Sequence, residues 1–108
     1  MPVLFEEQKA ILAAIREFQA GKLDALRLAE RVATLATRLD PEHEDDDLTS
    51  FVAVLSETDK YLIQDSIRGW HESVREQRET EYRQAEARYR ADIITAASAL
   101  LRRWGAPA

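Results

Sequence analysis

Cysteine is absent from this chain, glycine and proline occur three times each, and histidine occurs twice. Without cysteine there are no disulfides and no thiolate metal sites, and a reducing compartment fits. So few glycines leave no phosphate-cradling glycine-rich loop. Neither a G-x-S-x-G turn nor a cysteine nucleophile is present to support acyl chemistry. The start, Met1-Pro2-Val3-Leu4-Phe5-Glu6-Glu7, lacks the basic residues and apolar run of a secretory leader. The longest strictly apolar run, Ala10-Ile11-Leu12-Ala13-Ala14-Ile15, falls far short of the roughly 20 residues of a membrane span. The expected compartment is the cytoplasm, and no membrane association is expected.

What is abundant is charge, unevenly placed. The formal net charge is −5 over 108 residues. Residues 1–39 carry +1 and residues 60–108 carry +2, whereas residues 40–59 hold eight acidic groups and no basic one. The acidity of the chain therefore sits in one window. A nucleic-acid binder needs a clustered basic surface instead, so direct nucleic-acid binding is not expected.

The apolar residues repeat at helical spacing. Trp70, Val74, Tyr82, Ala85, Tyr89, Ile93, Ala97, Leu100 and Trp104 are separated by threes, fours or their sums, which predicts one long helix ending at Gly105. Its start falls between Ser66 and His71. From Glu72 to Arg103 it would be about 48 Å long, against roughly 35 Å across a compact domain of this size. Its segment Arg75-Glu76-Gln77-Arg78-Glu79-Thr80-Glu81 has no apolar residue. The later part, 82–104, is expected to pack on the two preceding helices. The part near 75–81 is expected to project, bend or meet a partner. Glu79 with Arg83, and Glu86 with Arg90, are spaced as i,i+4 ion pairs.

Those two helices form a hairpin over residues 3–39. Leu4, Phe5, Gln8, Ile11, Leu12, Ile15 and Phe18 make the first stripe, ending at Gly21. Asp24 is the predicted N-cap of the second helix, with Leu23 and Leu28 spaced as a hydrophobic staple. Leu28, Val32, Leu35, Ala36 and Leu39 form its face, Leu26 lies at its edge, and Asp40-Pro41 ends it. Residues 40–47 read as a self-repelling, solvated loop. Asp47 is placed to cap a short helix over residues 48–56, burying Phe51, Val52, Val54 and Leu55. The run Phe51-Val52-Ala53-Val54-Leu55 also suits a buried strand, but a lone strand would lack a ladder partner. The expected fold is an all-α, up-and-down bundle of three to four helices with a long C-terminal helix, in a single domain.

Candidate chemistry concentrates in the acidic window. Glu42, Glu44, Asp45, Asp46, Asp47, Glu57 and Asp59 are the candidate electrostatic contacts to a basic protein surface, and Trp70 the apolar anchor. The competing reading is a solvated run without a partner. Calcium loops alternate ligands with spacers and need a glycine turn, which Asp45-Asp46-Asp47 lacks, so no metal is expected. His43 and His71 have no second histidine or cysteine at ligand spacing. Neither cofactor nor catalysis is expected.

Two stretches resemble known proteins. Phe18-Gln19-Ala20-Gly21-Lys22-Leu23, followed by an Ala/Leu-rich helix, resembles the helical hairpin of small acidic bacterial immunity proteins of the colicin D immunity kind. Ser56-Glu57-Thr58-Asp59, with Arg68 and Trp70 beyond, is similar to a pattern in short bacterial proteins. The first resemblance covers about a fifth of the chain and implies a tight inhibitory partner of a toxin, often a nuclease with a basic active site. The resulting expectation is a non-catalytic, immunity- or antitoxin-type binding protein. The alternative is a scaffold that self-associates, as a homodimer, through the long helix.

Overall fold

A computed structural model describes residues 4–61 and 72–105. The elements run α1 (Glu6–Gln19), α2 (Ala25–Leu39), α3 (Asp46–Thr58), a 3-10 turn (Asp59–Tyr61), α4 (Glu72–Leu100) and a closing π-turn (Leu101–Gly105). The described residues contain no strand, so the Phe51–Leu55 run is helix. The chain is an all-α bundle with a long last helix.

Local signals set the ends. At the start of α1, Gln8 folds back so that its Oε1 accepts the Phe5 amide at 2.8 Å. Gln8, the weak member of the predicted stripe, is thus a capping residue. Phe5 precedes the helix in an extended conformation and is 66% exposed, which corrects its placement in the buried stripe. Gly21 takes φ +79°, the left-handed geometry that closes a helix end. Asp24 caps α2, its Oδ1 accepting the Arg27 amide at 2.8 Å.

The core is built from Ile11, Ile15, Leu26, Leu28, Val32, Leu48, Phe51, Ile93 and Leu100, all at most 2% exposed. Leu26 is fully buried rather than marginal. The reason is that α2 contacts three helices, α1, α3 and α4, so more than one stripe of it is covered. Leu35, Leu39, Val52 and Leu55 pack half-buried around this centre. Arg31 of α2 pairs with Glu17 of α1 on the outside of the hairpin.

The last helix packs on α2 and α3, and its closing turn touches α1. The expectation that it lies on the α1–α2 hairpin is corrected in this respect, because α3 supplies one wall of its groove. A polar seam fixes its register. The Tyr82 hydroxyl donates to Asp24 Oδ2 at 2.7 Å and lies 2.9 Å from Oδ1. Burial, reinforced by that carboxylate, pushes the Tyr82 phenol above its ordinary value. One turn on, Glu86 accepts the Ala25 amide at 3.3 Å and Arg90 at 2.7 Å. Glu79 and Arg83 also pair, at 3.9 Å.

Among the described residues, 72–81 of α4 take no part in the core cluster, and Val74 is 40% exposed. The helix runs unbroken through them, about 44 Å in all. This accounts for an elongated outline, 54 × 28 × 20 Å, with a radius of gyration of 15.1 Å against the roughly 13 Å of a compact chain. No helix among the described residues is long and apolar enough to cross a membrane.

Candidate protein-binding surface

The acidic window is built, not merely solvated. Asp40 ends α2 and turns its carboxylate onto the following backbone: Oδ1 accepts the Glu44 amide at 3.0 Å and Oδ2 the Asp45 amide at 2.9 Å. His43 adopts φ +55° to make that turn. Asp45 then caps α3, its Oδ1 accepting the amides of Asp47 (3.0 Å) and Leu48 (3.3 Å). The cap is therefore Asp45, not Asp47, and α3 spans Asp46–Thr58 rather than residues 48–56. Asp46 and Asp47 occupy its first turn, where the helix dipole favours negative charge.

A cation enters this segment from far along the chain. Arg103 donates Nη2 to Asp45 Oδ2 at 2.7 Å, and Nη1 to Asp45 Oδ1 at 3.1 Å and to Asp47 Oδ2 at 2.9 Å. The guanidinium holds the Asp45 carboxyl below its usual value, and the two carboxylates raise Arg103 in return. Arg103 also lies 5.6 Å from the Trp104 ring centroid. The window is free of cations in sequence but not in space. Beside it, Gln8, Leu39, Asp40, Glu44, Arg103 and Trp104 line an open cleft of about 520 Å³.

The seven predicted contact carboxylates thus divide. Asp45 and Asp47 are part-buried and bonded within the chain. Glu42, Glu44, Asp46, Glu57 and Asp59 are exposed, with no ion pair among the described residues. Trp70, the predicted anchor, lies outside the described residues, as do Arg68 and His71. Trp104 is half-buried against the core.

Two residues of this region were not singled out from sequence. Arg103 has no local signal, because its partners are 56 and 58 residues away. Asp92 lies on α4 between Tyr89 and Ala96, three residues after the one and four before the other, on one helix face. That spacing was a usable signal. Across from it stand Ser50, Ala53, Val54 and Glu57 of α3, and the two rows enclose a groove of about 330 Å³. No group of three or more potential metal ligands occurs among the described residues. No protein-family model, curated protein or solved structure matches the chain.

Proposed function

We propose that this chain is a non-catalytic protein-binding module. It acts in the cytoplasm as an immunity- or antitoxin-type inhibitor, and its 40–59 face covers a basic, nuclease-like site on a bacterial toxin domain. The observation that carries this reading is the presentation of Glu42, Glu44 and Asp46 on a backbone anchored by Asp40, Asp45 and Arg103, with Glu57 and Asp59 at the other end of α3, all five exposed and without ion pairs among the described residues. Negative charge held on a rigid frame attracts a cationic site over a long range and imitates the phosphates such a site binds. Anchoring also lowers the ordering cost that a mobile acidic loop would meet on binding.

The test is association kinetics with the partner captured from the native host. Changing Glu42, Glu44 and Asp46 to lysine together is expected to slow association about tenfold or more and to flatten its salt dependence. An unaltered on-rate and salt slope would overturn the proposal.

A second reading has its own observation. Among the described residues the amino-terminal part of α4 takes no part in the core cluster, and it exposes Val74, which favours a scaffold that self-associates through this helix. A monomer at high micromolar concentration in sedimentation equilibrium would eliminate it.

A further inference from the structure

We propose that the groove between α3 and α4 seats an amphipathic helix of the partner, with apolar side chains on its floor and a lysine or arginine at each wall. The inference rests on the acidic-face reading above and specifies where, and with what, that face engages.

Three features of the groove converge. Its floor is apolar: Val54 and Ala96 are 5% and 2% exposed, flanked by Ala53 and the Tyr89 ring. Its walls are acidic, with Glu57 on α3, Asp92 on α4 and Asp47 at one end. No lysine or arginine among the described residues lines it. At the Asp47 end Arg103 already pairs with the carboxylate, so the groove's charge without an ion pair among the described residues is that of Glu57 and Asp92. Arg90 bonds Glu86 and lies over the Phe18 ring, and Arg88 lies 5.3 Å from the Tyr89 ring centroid.

Glu57 and Asp92 thus face one groove from two helices with no cation between them among the described residues. Like charges on opposing walls above a low-dielectric floor repel each other and concentrate negative potential in the cleft. An entering cation relieves that repulsion, and an apolar side chain beside it fills the floor. Both demands are met by a helix bearing apolar and basic residues three to four positions apart, laid along the channel between two packed helices. A purely basic extended chain meets only the first demand.

The experiment uses the full chain, isotopically labelled, and two synthetic probes of equal charge: an amphipathic leucine/lysine helical peptide and an oligolysine. The leucine/lysine peptide is expected to bind saturably, shifting the amides of Ser50, Ala53, Tyr89, Asp92 and Thr95 and binding about tenfold tighter than oligolysine. Glu57→Gln with Asp92→Asn preserves shape and is expected to weaken that binding about tenfold. Glu6→Gln with Glu30→Gln, an equal loss of charge on α1 and α2, should change it by less than about threefold. Shifts confined to residues 42–46 for both probes would overturn the groove and leave the broader acidic-face reading intact. Equal affinity for the two probes would overturn the role of the apolar floor. No shift with either probe would remove groove and face together.

Discussion

Arg103 grips Asp45 with both terminal nitrogens, at 2.7 and 3.1 Å, while the same carboxylate accepts two amides at the start of α3. One side chain thereby ends a loop, begins a helix and ties both to the far end of the chain. Asp45→Ala is expected to lower stability by about 2 kcal/mol, about half from the lost cap and half from the ion pair. Arg103→Ala should lower it by about 1 kcal/mol, because the cap survives. The double variant in a thermodynamic cycle, followed by urea denaturation, should show coupling of about 1 kcal/mol. Strict additivity would mean that the contact contributes nothing.

Acid should undo the same junction. The Asp45 carboxyl titrates below its ordinary value of 3.8 in the folded chain, so the unfolded chain binds the proton more readily. The stability it contributes is complete above that ordinary value and is lost as pH falls through the depressed folded value. Thermal midpoints between pH 2 and 5 are expected to fall less steeply in Asp45→Asn than in the parent.

Alkali should act on the opposite seam. The Tyr82 phenol is raised, so its contribution is intact below the ordinary value near 10 and declines above it. Tyr82 is expected to ionise late in an ultraviolet titration of the folded protein, and Tyr82→Phe should abolish that late phase. The same change removes a hydrogen bond to a charged group and should cost about 1–2 kcal/mol.

The helical stripes and the Asp24 cap were legible because each depends on residues within one or two turns. Ile11, Ile15, Phe18, Val32, Ile93 and Leu100 could be placed in the core by period alone. What escaped depends on distant partners. Asp45 and Asp47 are equivalent by local rule, and the choice between them follows from Asp40 closing onto the Asp45 amide and Arg103 arriving from 58 residues away. A single helical stripe puts Leu26 at its margin, whereas α2 is covered by three helices. Self-repulsion is only half of what the charge run implies, because its carboxylates can also satisfy unpaired amides. The exposed carboxylates could be named from sequence, but their partition into structural and free could not.

Burial separates two phenylalanines that sequence reading placed alike. Phe51, with no exposed surface, should cost about 3–5 kcal/mol when changed to alanine. Phe5, 66% exposed, should cost less than about 0.5 kcal/mol. Guanidinium melts of the two variants provide the comparison.

The seam through Tyr82 and Glu86 and the grip of Arg103 also bear on how the molecule assembles during synthesis. Translation delivers α1, α2 and α3 to the ribosome exit first, yet the amino ends of α2 and α3 await donors and acceptors decoded some 56 to 61 residues later. A nascent chain of three helices would therefore lack the fourth helix that packs on α2 and α3. Completion falls to α4 and the turn after it, and truncation before Arg103 should leave a species that chaperones and proteases recognise.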